Sequence, residues 1–303
     1  MPIYKYVTED RIDILSESCI RFTQPSVFND PFEVFPHFVA LTDDTNIKNL
    51  ADKGWGEEFI NKAIDEAYKK QIEKTPIIKS VPNFKQTLKA LMLEAKPEAQ
   101  ALFGSFFKLG TPGNRQEILL SIRRALDNTV GILCLTERPD DILMWGHYSN
   151  GHRGFAIEFD EKNGFFDRRT KTGEIRRYLR KVNYSAQRPS LVLYNSNLSD
   201  SENLNIWIND FFWNKSICWQ YERELRIFDT LKDCQKRIEI DGQSVFLFSL
   251  PLECIKGIIF GCSMSEKSKE SLRALIRSDK KYSHIAIKNA VIDERKYQIN
   301  IVE

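Results

Sequence analysis

The sequence lacks an excess of charge of either sign, since 44 basic residues stand against 42 acidic ones and leave a net charge of +2. Such a chain has no global field to hold it on nucleic acid, so a polyanionic partner would need a local basic patch. It also lacks any apolar run near the roughly 20 residues of a membrane helix. The opening MPIYKYVTED has no basic stretch followed by an apolar one, so we expect a soluble, cytoplasmic protein without a secretory signal.

The usual signatures of nucleotide, zinc and hydrolase chemistry are missing too. There is no P-loop, no dinucleotide-binding glycine pattern, no H-E-x-x-H motif and no G-x-S-x-G motif. Four histidines occur, and His147 and His152 are five residues apart, not the three or four that align two ligands on a helix. We therefore expect no metal site. The six cysteines form no C-x-x-C pair, which predicts reduced, buried thiols.

Hydrophobic periodicity predicts an α+β fold with a central mixed or mainly antiparallel sheet. The opening predicts the strand IYKYV, a helix within Glu9 to Ser18 and the strand CIRF. Strand patterns dominate again from residue 130, with helices expected at 141–149 and 203–217. A capping box at Ser263 to Glu266 predicts the start of a C-terminal helix, and SHIAIKNAVI predicts a final strand.

Between Asp43 and Asn128 the apolar spacing becomes helical, and prolines and a GTPG turn interrupt it. We interpret this stretch as a helical insertion or lid within a single domain spanning residues 1–303. A separate second domain is the alternative.

Three separated segments carry the residues best suited to chemistry: YKY at Tyr4 to Tyr6, MWGHYSNGHRG at Met144 to Gly154, and WQYERELR at Trp219 to Arg226. In the last of them, strand alternation places Glu222, Glu224 and Arg226 on one face. The alternative is a solvated edge face with a ladder of ion pairs.

The middle segment predicts a helix, a turn and a strand that gather Trp145, His147, Tyr148 and His152 at the helix end. The alternative is that Trp145 and Tyr148 form a core stripe and that His152 caps carbonyls of the turn.

The N-terminal region offers Lys5 and Tyr6, then Arg21 and Ser26. On sequence alone, residues such as Lys5 and Arg21 are more often surface charges than ligands.

The chain resembles the uncharacterised bacterial family called domain of unknown function 2971. The resemblance rests on YKY, RFTQPSVFNDPFE, LCLTERPDDILMWGHYSNGHRGFAIEFD, VNYS and WQYERELR, and covers nearly the whole chain apart from the helical stretch. The family name implies a fold group and no activity.

The layout is also similar to that of ADP-ribosyltransferases, in which a late strand supplies the catalytic glutamate. This resemblance implies NAD as a substrate without a metal, and a role in bacterial defence or toxicity is compatible with it. Breaking the nicotinamide–ribose bond passes through an oxocarbenium-like state that a nearby carboxylate stabilises. The implied catalytic residues are Glu224, Glu222 and Tyr148. The implied NAD-binding residues are Lys5, Tyr6, Arg21, Ser26, Trp145, His152 and Arg226.

Two other functions stay open. A metal-dependent nuclease or phosphoesterase would hold Mg²⁺ on carboxylates and the phosphate on a cation. Its candidates are Asp30, Glu33, Glu158, Glu222 and Glu224, with Lys215 or Arg226. A non-catalytic sensor would instead bind a nucleotide-like small molecule with NDPFE, the turn from Trp145 to His152, and Glu224. Convergence of the three segments on one site is the geometric requirement of the ADP-ribosyltransferase hypothesis.

Overall fold

The structure is a computed structural model. It describes residues 1–34, 37–43, 123–169 and 177–303, together with the single positions 62, 65, 66, 69 and 120. Most of the predicted helical insertion lies outside the described residues.

The described elements alternate short strands with a few helices. The strands are β1 (Pro2–Val7), β2 (Cys19–Phe22), β3 (His37–Thr42), β4 (Val130–Thr136), β5 (Phe155–Asp160), β6 (Arg180–Lys181), β7 (Asn183–Ser185), β8 (Ser190–Tyr194), β9 (Asn214–Ser216), β10 (Glu224–Thr230), β11 (Lys236–Ile240), β12 (Gln243–Ser249), β13 (Ile255–Phe260), β14 (Ala286–Ile292) and β15 (Ile299–Val302). The helices are α1 (Asp13–Ser16), α2 (Ile142–Tyr148), α3 (Asp200–Phe212) and α4 (Glu266–Ser278).

The chain divides into two compact units. Unit 1 contains Met1–Thr23, Gly131–Val182 and Ile217–Glu303, and unit 2 contains Gln24–Val130 and Asn183–Ser216. The single domain expected from the sequence stays a prediction.

Unit 1 carries an eight-stranded sheet in the order β15-β14-β13-β5-β1-β4-β10-β6. β13 and β14 run parallel. β1 is antiparallel to both of its neighbours, and the pairs β5–β13, β6–β10 and β14–β15 are antiparallel as well. The predicted α+β class with a mixed sheet is therefore confirmed.

Strand alternation gives the two faces of this sheet different contents. Ile3 and Val7 of β1 join a large apolar core that also takes Leu225 and Ile227 of β10. Tyr4 and Tyr6 point to the other face, into a smaller cluster that contains Met144 and Trp145 of α2. The second face holds the candidate site.

A three-stranded sheet in the order β11-β12-β2 completes the strands of unit 1. β2 lies antiparallel to β12, with Arg21 opposite Leu247. Ile20 and Phe22 enter the large core, which leaves Arg21 on the other side of the strand. Amphipathic α4 buries Leu272 and Ile276, four residues apart on one helical face.

Unit 2 pairs β3 with β8 and β7 with β9, and both pairs are parallel. Helix α3 begins at Ser199, whose hydroxyl accepts a hydrogen bond from the Glu202 backbone N–H while the Glu202 carboxylate accepts one from the Ser199 N–H. This reciprocal pair stabilises the first turn.

Several predicted boundaries were wrong. The helix expected within Glu9 to Ser18 is a single turn, and the helix expected at 203–217 is α3, which begins at its own capping box. Helix α4 is capped by Ser265, which accepts from the Ser268 N–H, so the predicted capping box at Ser263 is not used. The predicted final strand is followed by β15, which pairs with it.

All six cysteines are free thiols. Cys19 and Cys254 are buried as expected, whereas Cys218 is exposed. Within the part of the chain that the structure describes, no helix combines the length and the apolar character needed to cross a bilayer.

Candidate functional site

Helix α2 begins where the sequence predicts. The Asp141 carboxylate accepts hydrogen bonds from the backbone N–H groups of Leu143 and Met144, at 3.0 and 3.1 Å. An aspartate at this position satisfies backbone donors that have no partner within the helix. The cap therefore fixes the start of a short helix that carries Trp145 and Tyr148.

The turn after α2 runs through three successive left-handed residues, Asn150, Gly151 and His152, with φ of 48°, 61° and 67°. Such a run is costly for residues other than glycine, and contacts on both sides hold it. The His152 carbonyl accepts from the Ser263 N–H at 3.1 Å. At Gly154, a Cβ would lie 2.0 Å from the Val7 carbonyl oxygen, so only glycine fits beside β1.

Trp145 is a core residue with no exposed surface. Its indole N–H donates to the Pro139 carbonyl at 2.9 Å, and its ring meets Tyr6 edge to face with centroids 4.8 Å apart. The Tyr6 hydroxyl donates to the Arg138 carbonyl at 2.7 Å. Trp145 and Tyr6 thus form the floor behind α2 and present no ring to a ligand, as the core-stripe interpretation expected for Trp145.

The His152 Nδ1 is buried and has no hydrogen-bond partner among the described residues. This nitrogen therefore caps no carbonyl of the turn. Its ring lies nearly parallel to Trp145, with centroids 6.5 Å apart. Burial lowers the pKa of the imidazole. Burial therefore favours the neutral form of His152, whose ring packs on the floor of the site.

The segment WQYERELR departs from the predicted strand. Residues Ile217–Glu222 form a 3-10 helix, and β10 begins only at Glu224. Arg223 between them is left-handed, with φ of 42°. The prediction that Glu222 shares a strand face with Glu224 and Arg226 was wrong, because alternation requires extended backbone on both sides.

Glu222 meets the middle segment directly. The Tyr148 hydroxyl donates to Glu222 Oε1 at 2.6 Å, in a contact that joins residues 74 apart in the sequence. Glu222 is 2% exposed and Tyr148 is half-buried. Thr136 at the end of β4 also contacts Glu222, since its hydroxyl donates to the Glu222 backbone carbonyl at 2.5 Å. The carboxylate is thus fixed by a phenol and anchored through its own backbone.

Glu224 and Arg226 form a separate, fully internal pair. Arg226 Nε and Nη2 donate to the two Glu224 carboxylate oxygens at 2.7 and 2.9 Å. Arg226 has no exposed surface and Glu224 is 4% exposed. β10 lies between β4 and β6 in the sheet. The alternative of a solvated edge face is therefore wrong, and the Arg226 guanidinium is turned to Glu224.

The first strand supplies Lys5 at a point where the sheet opens. β1 pairs with β5 at six register positions and with β4 at one, Tyr4 opposite Thr136. Lys5 Nζ donates to the Cys134 carbonyl of β4 at 3.0 Å. Burial lowers the pKa of Lys5, and the Glu224 carboxylate acts in the opposite direction.

The remaining implied ligands lie in different surroundings. Arg21 stands on β2 in unit 1, and burial and the nearby Arg11 charge lower its pKa. Ser26 belongs to unit 2, where its backbone N–H donates to the Asp127 carboxylate at 2.7 Å. The structure therefore brings Tyr148 and Glu222 into contact above a floor formed by Tyr6 and Trp145. Ser26 belongs to the other unit.

The site also contains side chains of the two later segments to which the ADP-ribosyltransferase resemblance gave no role. His147, Trp219 and Tyr221 join Tyr148 in a group that we call the aromatic rim, with His147 exposed and the others half-buried. The centroids of His147 and Trp219 are 6.2 Å apart, and those of Trp219 and Tyr221 6.1 Å. The abundance of aromatics in the two segments was the available signal.

Tyr4 and the Glu158–Lys288 pair are further groups on this sheet face. Lys288 Nζ lies 2.7 Å from Glu158 Oε2. Burial, with the Glu158 and Asp140 charges, raises the pKa of Tyr4 to about 12. The sequence of β5 gave no means of predicting that Glu158 pairs with a lysine 130 residues away.

The magnesium hypothesis finds no ligand cluster in the described residues, where no three His, Cys, Asp or Glu side chains lie close enough together to hold an ion. In unit 2, Lys215 Nζ is 3.6 Å from Glu33 Oε2, and both side chains are buried. Asp30 is buried in the same unit, and its Oδ1 accepts from the Phe32 N–H at 2.9 Å. These contacts explain the NDPFE carboxylates as parts of a folded loop.

Comparison with known families supports the resemblance to the uncharacterised group. A family model described as "Protein of unknown function (DUF2971)" matches residues 144–227. This range contains MWGHYSNGHRG and most of the structure around Tyr148, Glu222 and Glu224. No curated protein and no solved structure matches the chain. The part of the chain that matches the family model therefore contains Tyr148, Glu222 and Glu224 of the candidate site, and the family description names no activity.

Proposed function

We propose that unit 1 binds NAD and breaks its nicotinamide–ribose bond, as an ADP-ribosyltransferase-like or NAD-consuming enzyme. The contact between Tyr148 and Glu222 carries the proposal, because it fixes a carboxylate against a phenol beside the aromatic rim. A fixed, poorly solvated carboxylate interacts strongly with positive charge that develops next to it.

The reaction assigns separate tasks to these groups. Nicotinamide leaves with the electron pair of the bond to ribose C1′, and the ribose becomes oxocarbenium-like. Glu222 stabilises that cation, with Tyr148 holding the carboxylate in place. Water or a nucleophile of an acceptor then attacks C1′ and loses its proton. The aromatic rim supplies faces on which the nicotinamide ring stacks.

A second candidate, a non-catalytic nucleotide-binding module, is favoured by one observation. Both glutamates are almost fully buried and already have partners. Under this function NAD or ADP-ribose raises the melting temperature and is not consumed.

Incubation with NAD labelled in the nicotinamide ring separates these outcomes. We expect the wild type to release free nicotinamide and Glu222→Gln to release it about 100-fold more slowly, as is typical when a charge-stabilising group is lost. Glu239→Gln is the matched control, because Glu239 lies on exposed β11 and binds Ser244. Intact NAD with a raised melting temperature favours the binding module. Intact NAD without any thermal shift contradicts both.

A further inference from the structure

A second charged group lies in unit 1 where β1 and β4 separate. The end of β4 pairs with β1 at Thr136. Near the start of β4, Ile132 exchanges two backbone hydrogen bonds of 2.9 Å with Thr23, which directly follows β2. Lys5 lies between these two pairings, with its ammonium on the Cys134 carbonyl. The end of β2 that carries Arg21 is therefore brought next to the opening.

Arg21 has two buried donors without a partner in the described part of the chain. Its Nε and Nη2 are buried, and neither has a hydrogen-bond partner among the residues that the structure describes. A buried donor without a partner costs free energy, and more so when it is charged. A ligand that accepts from both nitrogens would remove that cost.

The surroundings of Arg21 are cationic. Burial is the main cause of its lowered pKa and Arg11 adds to it, and both arginines also depress the pKa of Lys5. Asp13 neutralises Arg11, with Nε and Nη2 at 3.0 and 3.3 Å from its two oxygens. Glu224 is paired with Arg226. Within the described part of the chain, no carboxylate forms a salt bridge with Arg21 or Lys5, and the Glu224 charge acts on Lys5 alone of the two by raising its pKa.

We propose that Arg21, flanked by Lys5 and Arg11, forms an anion site that takes a phosphate group. A guanidinium fork matches the spacing of two phosphate oxygens, and the unpaired Arg21 with neighbouring cations favours a doubly charged phosphate over a carboxylate. The inference rests on the proposed function only in naming a nucleotide diphosphate as one source. Free phosphate or pyrophosphate is the other.

Calorimetric titration with inorganic pyrophosphate and with ADP-ribose tests the site. We expect wild type to bind at least one of them and Arg21→Met to bind it about tenfold or more weakly. Arg237→Met is the matched control, because Arg237 lies on the same three-stranded sheet, is exposed, and has Glu239 and Ser244 as partners. It should bind as wild type does. Binding of both probes indicates free phosphate as a sufficient ligand, and binding of ADP-ribose alone indicates the nucleotide.

Thermal unfolding without ligand gives an independent readout. Since Arg21→Met removes donors that lack partners, its melting temperature should equal or exceed that of wild type, whereas a structural arginine would lower it. Should Arg21→Met fail to fold, Arg21→Lys keeps the charge without the fork and should bind measurably more weakly than wild type.

Three results overturn the anion site: no binding of either probe by wild type at about 10 mM, equal affinity in the Arg21 variants, or an equal loss in Arg237→Met. These results are distinct from failure of the proposed function. Nicotinamide release by wild type together with equal affinity of wild type and Arg21→Met for both probes sinks the anion site alone, whereas Arg21-dependent pyrophosphate binding without NAD turnover sinks the enzyme alone.

Discussion

Glu222 and Glu224 are two residues apart and equally buried, but they have different partners. Glu222 ends a 3-10 helix and touches Tyr148 beside the aromatic rim, whereas Glu224 opens a central strand and is held by both donors of Arg226 inside the protein. The left-handed backbone of Arg223 separates them. Both carboxylates are buried, but one is held by a phenol beside the aromatic rim and the other by a guanidinium within the sheet.

Breaking the internal pair should have the largest effect. Arg226→Met leaves the Glu224 carboxylate buried without its bidentate partner, and we expect a loss of about 3 kcal/mol or more in the free energy of unfolding. Urea denaturation measures it. The double variant Glu224→Gln with Arg226→Met should recover part of the loss, and a loss below about 1 kcal/mol for the single variant would show that the pair is not structural.

The backbone between the two glutamates is the next test. Arg223→Val places a β-branched residue at a φ of 42° and should cost about 1–2 kcal/mol of stability. Arg223→Gly, which adopts that conformation freely, should stay close to wild type. Equal melting temperatures for the two variants would mean that the left-handed turn is not required.

Removing the phenol that holds Glu222 should cost less stability than breaking the pair of Glu224 and Arg226. Tyr148→Phe loses one charge-assisted hydrogen bond, for which we expect about 1–2 kcal/mol, measured by urea denaturation. Tyr178→Phe is the control, because the described residues give its hydroxyl no hydrogen bond while its ring packs under Arg169 and Arg180. An equally large loss in the free energy of unfolding of Tyr178→Phe would show that the hydrogen bond between Tyr148 and Glu222 gives no specific stabilisation.

The smallest effect concerns the floor of the site and depends on pH. Because burial lowers the pKa of His152 below its ordinary 6.5, the unfolded chain takes up a proton first as the pH falls. Stability should therefore decline as the pH drops from 6.5 through the folded pKa. His152→Asn keeps a residue that tolerates positive φ and should flatten this decline in melting temperature. An unchanged slope between pH 7 and 5 would contradict the neutral, buried imidazole.

Much of the scaffold follows from local pattern. The α+β class, the Asp141 start of α2 and the contact between MWGHYSNGHRG and WQYERELR all rest on periodicity, capping residues and clustered aromatics. These signals lie within a few residues of the elements that they predict, which is why they succeed.

The rest depended on information that no short pattern contains. An arginine gives no hint of a left-handed backbone, so alternation wrongly carried Glu222 into the strand. The burial of Glu224 depends on the neighbours of β10, since β6 pairs with it through residues 180–181. The orphan donors of Arg21 likewise come from where β1, β2 and β4 meet.

The most direct test compares Glu222→Gln with Glu224→Gln for nicotinamide release and melting temperature in the same preparations. Separate roles predict that Glu222→Gln slows release about 100-fold and melts close to wild type, whereas Glu224→Gln shows the larger thermal loss because it weakens the partner of Arg226. Full release by a stably folded Glu222→Gln, or the larger thermal loss in that variant, would contradict the account.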